Sequence, residues 1–165
     1  MGPNAPERAE RRDTRDLRPC GRAGGVGDSG GMNIDMAGLQ ELSRAECLSL
    51  LSSTPIGRVV FTERALPAVQ VVNYVLDGED VVFRTAAGSR LSEAARGAIV
   101  AFEADHFDET SRTGWSVTAV GPARIVEEPG EVVRLARLPL VPWAPGHHDQ
   151  LVAVRAELVT GRRLH

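Results

Sequence analysis

The residues best suited to chemistry lie in one segment, Phe83-Arg-Thr-Ala-Ala-Gly-Ser-Arg-Leu91. The pattern predicts a strand, a glycine turn and a short helix that opens at Ser89. Backbone amides at the start of a helix favour an anion, and the hydroxyls of Thr85 and Ser89 add hydrogen-bond donors. Arg84 and Arg90 supply forked guanidinium donors that suit a phosphate. The segment therefore indicates a phosphate site, the alternative being an ordinary strand–turn–helix with solvated arginines.

Charge and composition exclude several other functions. All 19 basic residues of the 165-residue chain are arginine, so an anion site must use arginine or backbone amides. The net charge of −3 argues against a basic nucleic-acid-binding surface. No apolar run approaches the roughly 20 residues of a membrane helix, and the first residues lack the apolar core of a signal peptide. We therefore expect a cytoplasmic protein that binds neither nucleic acid nor membrane.

Other reactive side chains form no recognisable catalytic group. His147 and His148 lie together in a loop without the spacing of a zinc site. Asp105, Asp108 and Glu109 are expected in an exposed acidic loop, where solvation is a better explanation than metal binding. The glycine motifs of the two commonest nucleotide-binding folds are missing. We therefore predict no metal, and the residues alone identify no catalytic side chain.

The two tryptophans differ in context. Trp115 begins a strand, where an aromatic side chain most often belongs to a core or an interface. Trp143 lies in a loop between Pro142 and Pro145, and proline on both sides can hold a side chain outward at low entropic cost. A contact between Trp143 and a ligand or a partner is therefore a reasonable hypothesis.

Residues 1–31 are predicted to be a disordered tail, and residues 32–165 to be the folded domain. The tail holds six arginines, five acidic residues and seven glycines, which cannot bury enough apolar surface to fold. Met32 follows Gly30 and Gly31 directly, so either a misassigned start or a genuine flexible arm would explain the pattern. Cys20, in this tail, and Cys47, on an apolar helix face, form no metal or redox pair.

The folded part reads as a series of short strands with few helices. Ser43 and Glu46 form a capping box that opens the first helix, and Asp77-Gly78 is a strong hairpin signal. Strands are predicted over residues 57–62, 68–75, 80–85, 97–103, 115–126 and 151–159, with a turn over 65–67, a bend at 121–122 and short helices over 89–95 and 131–138. Strands with turns this close together predict a β-barrel or sandwich, and disfavour a doubly wound α/β sheet.

An ordered set of segments then carries a resemblance to a known family. The segments are Ile56-Gly-Arg-Val-Val-Phe61, Val71-Val-Asn-Tyr74, Val81-Val-Phe-Arg-Thr-Ala-Ala-Gly-Ser-Arg-Leu91, Val100-Ala-Phe-Glu-Ala-Asp105, Gly114-Trp-Ser-Val117, Pro142-Trp143 and Thr160-Gly-Arg-Arg163. Together they resemble the pyridoxamine 5′-phosphate oxidase-like flavoproteins, in particular the small actinobacterial branch similar to nitroimidazole reductases. The resemblance covers residues 39–164.

This resemblance implies a mainly β split barrel with a few short helices, which forms a homodimer with FMN at the subunit interface. It also implies which residues bind the cofactor. The phosphate would contact Thr85, Ser89 and Arg90, with Arg84 and Leu91 on either side. The isoalloxazine edge would lie along Val71, Val72 and Asn73, and Trp115 and Ser116 would lie near the flavin. The oxidase itself often has a lysine where this chain has Leu91, and it has a C-terminal extension. Both departures disfavour pyridoxamine phosphate as the substrate.

The function that the resemblance implies is an FMN-dependent oxidoreductase. Electrons would come from a nicotinamide donor, NAD(P)H, and pass to a small acceptor such as a nitroaromatic or a quinone. Two alternatives remain open: a related split barrel that holds a deazaflavin or haem in the same groove, and a non-catalytic flavin-binding or stress-response module.

Overall fold

The computed structural model describes residues 34–36, 38–143 and 145–165. The predictions for the tail and for Cys20 fall outside these residues. The elements, in chain order, are β1 (Gln40–Glu41), α1 (Arg44–Leu51), β2 (Ile56–Glu63), β3 (Leu66–Asp77), β4 (Asp80–Thr85), α2 (Arg90–Ala94), β5 (Ile99–Asp108), β6 (Thr113–Ile125), α3 (Pro129–Leu135), β7 (Gln150–Arg155) and β8 (Leu158–Leu164).

The strands form an antiparallel barrel. Six of them pair in the order β6-β5-β2-β3-β4-β7, and β7 pairs again with β6 to close the ring. The strands β8 and β1 continue the sheet from the other edge of β6. The core inside the ring is built mainly from the side chains that point inward along each strand. Phe83 and Phe102 are among the largest of them. The prediction of a mainly β barrel with a few short helices is confirmed.

Closure of the barrel depends on Gly121. Strand β6 pairs with β8 over residues 114–120 and with β7 over residues 123–125, so its partner changes at this glycine. The backbone between β7 and β8 crosses there, and a Cβ added to Gly121 would lie 1.8 Å from the carbonyl oxygen of Arg155. Glycine within a strand often marks such a close approach of another backbone. The bend expected at residues 121–122 falls at this crossing.

The single strand predicted over residues 151–159 is wrong, because the chain there forms β7 and then β8. Ala156 and Glu157 belong to neither strand. Their backbone N–H groups donate to the carbonyl oxygens of Glu79 and Val120. The residues around this break carry no glycine or proline. Its position is set by the crossing at Gly121, which is distant in sequence.

Two hairpin turns differ in how well nearby residue types predict them. The turn after Asp77 is confirmed: Gly78 has a φ of 63°, and Asp77 pairs with Asp80 across the hairpin. The turn predicted over residues 65–67 is displaced, since residues 66 and 67 already belong to β3. Arg64 and Ala65 form the turn with φ angles of 51° and 64°. Such angles usually require glycine or asparagine, so the residue types of Arg64 and Ala65 do not predict the turn at this position.

The first helix is positioned by its capping box, as predicted. The Ser43 hydroxyl accepts a hydrogen bond from the backbone N–H of Glu46, and a Glu46 carboxylate oxygen accepts from the Ser43 N–H at 2.9 Å. Cys47 on this helix is completely buried. Burial raises the pKa of its thiol, so it is a structural side chain, consistent with its expected place on the apolar face.

The expected acidic loop is instead the end of β5. Asp105 and Asp108 belong to that strand, because pairing with Ser116 and Thr113 extends the β5–β6 hairpin. Glu109 is exposed in the turn that follows. Asp105 accepts a hydrogen bond from Arg58, which also contacts Glu103 at 3.2 Å. Two carboxylates thus share one guanidinium on the outer face of the sheet.

Replacing Glu103 by glutamine is expected to raise the melting temperature at pH 7. Partial burial, and then the charge of Asp105, raise the pKa of Glu103 against the opposing effect of Arg58. When a carboxyl has a higher pKa in the folded than in the unfolded protein, the folded protein loses stability as pH rises through that pKa. Glutamine does not ionise, so the variant avoids this loss of stability. Its gain in melting temperature should therefore vanish towards pH 4, where Glu103 is protonated. A surface change of up to ~0.5 kcal/mol corresponds to roughly 1–2 °C for this size of chain. A lower melting temperature at pH 7 would show that the ion pair with Arg58 dominates.

Candidate functional site

The strand–turn–helix predicted over residues 83–91 is confirmed. Strand β4 ends at Thr85, Gly88 turns the chain with a φ of 70°, and Ser89 caps α2. The Oγ1 atom of Thr85 and the Oγ atom of Ser89 are hydrogen-bonded at 2.9 Å, and Ser89 Oγ also accepts from the N–H of Ser92 at 3.1 Å. Because Thr85 is only 2% exposed, these hydroxyls tie the turn to the end of the barrel strand.

Arg90 is the exposed cation beside this turn. Its Nη1 atom lies 3.2 Å from an oxygen of Glu63, and its side chain is 76% exposed against 28% for Glu63. An open cleft of about 350 Å³ lies between the end of β2 and α2, lined by Thr62, Glu63, Arg64, Gly88 and Arg90. Exposed ion pairs contribute only about 0–1 kcal/mol. The guanidinium can therefore exchange Glu63 for an anionic ligand at little cost.

The two residues that flank this group have different surroundings. Arg84 is half-buried on β4, whereas its neighbour Thr85 is buried, as the alternation of side chains along a strand requires. Leu91 is completely buried in the barrel core. Its side chain anchors α2 to the barrel, so the residue that follows Arg90 holds the helix in place.

Three of the predicted residues lie on β3, the strand that pairs with β4. Val72 is buried, while Val71 is 64% exposed and Asn73 is half-buried. The register pairs Tyr74 with Phe83. Arg90 contacts Glu63, and Glu63 pairs with Leu66 at the start of β3. The exposed side chains of Val69 and Val71 form an apolar strip on the outer face of this strand.

The loop that carries Trp143 is fastened to the same strand. The backbone N–H of Trp143 donates to Oδ1 of Asn73 at 2.8 Å. The Trp143 side chain is 67% exposed. The sequence indicated a ligand or partner contact for Trp143, but it gave no sign that the loop binds the strand carrying Val71 and Asn73.

Trp115 and Ser116 lie apart from this group. They are on β6, and β2 and β5 separate that strand from β3. At the usual spacing between strands this separation is roughly 14 Å. Trp115 is half-buried between its cross-strand neighbours His106 and Arg163. Ser116 lines a separate polar groove with Thr118, Thr160 and Arg162. The predicted residues of β4 and α2 therefore form one group at the turn after Thr85, those of β3 lie on the adjacent strand, and Trp115 and Ser116 lie elsewhere.

The remaining reactive side chains do not assemble into a metal centre. Within the described residues, no three His, Cys, Asp or Glu side chains form a group that could hold a metal ion. In the same part of the chain, no helix is both long and apolar enough to cross a membrane.

The chain is similar to a known protein family and to a mycobacterial protein. The family model described as pyridoxamine 5′-phosphate oxidase matches residues 43–163. An uncharacterized protein of Mycobacterium tuberculosis, Rv0080, is 44% identical over 129 residues, which cover 75% of this chain and 84% of that protein.

Solved structures show the same fold. An FAD binding protein from Mycobacterium smegmatis is 36% identical, with a TM-score of 0.66 over 76% of this chain and 97% of its own. A conserved protein of unknown function from Corynebacterium diphtheriae is 33% identical, with a TM-score of 0.64 over 77% of this chain and 98% of its own. The closed six-stranded barrel is therefore a split barrel of this type.

Proposed function

Because this chain belongs to the pyridoxamine 5′-phosphate oxidase family, we propose that it is a flavin-dependent oxidoreductase with FMN as its cofactor. The observation that carries the proposal is the grouping of the Thr85–Ser89 hydroxyl pair, the exposed Arg90 and the apolar strip of β3. The similar Mycobacterium smegmatis protein is an FAD binding protein, which supports a flavin. FMN and FAD present the same ring and a phosphate in the same relation to it.

The residues present suit a flavin. A planar apolar ring needs an apolar surface, and Val69 and Val71 expose one on the outer face of β3. A phosphate needs cationic or N–H donors, and Arg90, whose side chain is 76% exposed, can supply them. Glu63 links Arg90 to Leu66 at the start of β3, so one molecule that uses both features would lie along this strand.

The chain's own residues would divide the work of binding. Arg90 would leave Glu63 and pair with the phosphate, while the Thr85–Ser89 pair keeps the turn in place. Val71 would exclude water from one side of the ring, and Asn73 would offer its amide N–H₂ group. A bound flavin supplies two-electron redox chemistry. NAD(P)H would be the donor, and a small nitroaromatic or quinone would be the acceptor.

The test is the spectrum of the purified protein. A flavin spectrum with the released cofactor identified as FMN by mass would support the proposal. Released FAD would contradict FMN and leave flavin binding intact, whereas a deazaflavin or haem spectrum would contradict both. Bleaching of the bound flavin by NAD(P)H in the absence of oxygen, followed by recovery when a quinone is added, would support an enzyme. A flavin that NAD(P)H does not bleach would favour a non-catalytic binding module.

We also propose that the protein is a homodimer with the flavin at the subunit interface. The outer face of the sheet exposes large apolar side chains on three strands, namely Val69, Val71, Ile99, Phe107 and Leu158. Because large exposed apolar patches mark interaction sites, we expect the second copy to cover these side chains. In a dimer, Trp115 and Ser116 of a second copy could complete the site that one chain leaves unfinished.

Sedimentation is expected to give about twice the chain mass of 17.7 kDa. The physical reason is the apolar outer face, which a second copy would remove from water. The measurement should be made with flavin bound and at micromolar protein. A monomer that still retains stoichiometric flavin would contradict the dimer and would leave flavin binding intact.

A further inference from the structure

Trp143 combines an exposed side chain with a fixed backbone. A tryptophan is usually well buried on average, yet this one is 67% exposed. Prolines at positions 142 and 145 restrict the backbone on both sides. The hydrogen bond from its N–H to Asn73 fixes the loop further. Because the backbone that carries the indole is already restricted, a ligand contact by Trp143 would cost little backbone entropy.

The position of this anchor is specific. Asn73 lies two residues after Val71 on β3, so both side chains project from the same outer face. The Trp143 backbone is therefore held at the end of the apolar strip formed by Val69 and Val71. Asn73 uses its carbonyl oxygen for the loop, which leaves its N–H₂ group as a donor at the same place.

We propose that Trp143 is an aromatic wall of the flavin site and that Asn73 is the residue that positions it. This inference rests on the proposed flavin binding at β3. The indole would contact the isoalloxazine ring, because both are flat aromatic systems and offset stacking between such rings is favourable. The phosphate plays no part in this contact, so it should stabilise riboflavin and FMN to the same extent.

The experiment compares Trp143→Ala and Trp143→Phe with a control in the same loop, Val141→Ala. Val141 is 72% exposed, so its truncation removes a similarly placed apolar side chain. Trp143→Ala should weaken both riboflavin and FMN by roughly 2- to 10-fold, the range expected for one aromatic contact. Trp143→Phe should retain most of the affinity, and Val141→Ala should leave it unchanged.

Asn73→Ala tests the positioning role. It should weaken riboflavin when Trp143 is present and have a smaller effect in the Trp143→Ala background, because the loop then has no indole to position. The part of the tryptophan fluorescence quenching on flavin binding that is lost in Trp143→Ala should also decrease in Asn73→Ala, with Trp115 retained in every protein. The melting temperature of each apo-variant provides the control for folding.

Each result separates this inference from the proposed function. If the wild-type protein binds no flavin, the proposed function itself fails. If it binds flavin and Trp143→Ala leaves both affinities unchanged, only the inference about Trp143 is overturned. A Trp143→Ala protein that becomes monomeric with unaltered flavin affinity would also overturn it, since the indole would then serve the subunit interface.

Discussion

Gly121→Ala is expected to destabilise the protein by at least ~3 kcal/mol. The added methyl carbon would lie 1.8 Å from the carbonyl oxygen of Arg155 and 3.0 Å from its carbonyl carbon. Both atoms belong to backbone at the end of β7, so no side-chain rotation can relieve the clash. Overpacking a rigid site typically costs about 1–3 kcal/mol, and more where the backbone must move. At roughly 2–4 °C per kcal/mol, the melting temperature should fall by about 6–12 °C or more.

Gly130→Ala is the matched control for this substitution. Its added methyl carbon would lie 3.1 Å from a carboxylate oxygen of Glu128, which caps α3 but belongs to a side chain that can shift by a few tenths of an ångström. Alanine also favours a helix over glycine, so the melting temperature should change little. Thermal unfolding of both variants in the apo form measures the difference. Equal stability of Gly121→Ala and the wild type would mean that β7 and β8 do not cross at this glycine.

Elements with local signals were predicted correctly. The capping box at Ser43, the hairpin at Asp77-Gly78 and the cap of α2 at Ser89 each depend on residues a few positions apart. The break between β7 and β8 depends on Gly121, more than 30 positions earlier in the chain, and it was missed. Arg64 and Ala65 adopt a turn conformation that their residue types disfavour, so pairing of the flanking strands overrides local preference.

The candidate site divides in the same way. The segment over residues 83–91 is continuous in sequence, so its turn and its helix cap could be predicted from residue types alone. The ion pair between Arg90 and Glu63 joins residues 27 positions apart, and the bond between Trp143 and Asn73 joins residues 70 positions apart. Such contacts depend on which strands and loops become neighbours in the barrel, which no local pattern specifies.

Arg90→Ala is expected to weaken FMN binding by about 10- to 150-fold. A charge-assisted hydrogen bond to the phosphate contributes roughly 1.5–3 kcal/mol, and 1.4 kcal/mol is a factor of ten in affinity. The loss also leaves the carboxylate of Glu63 without its partner beside the phosphate. Riboflavin lacks the phosphate, so its affinity should hardly change. Titration of the apo-protein with both ligands measures the two constants.

Two further variants test the same contact with opposite signs. Glu63→Gln should strengthen FMN binding and leave riboflavin unaffected, because it frees Arg90 and removes a negative charge from the cleft. Arg137→Ala is the matched control, since Arg137 is also an exposed arginine but does not line the cleft. Its removal should have little effect on either ligand. Equal losses of FMN and riboflavin in Arg90→Ala would mean that Arg90 supports the fold of this region without binding the phosphate. A loss of FMN affinity in Glu63→Gln would show instead that the ion pair must stay intact for the turn to bind its ligand.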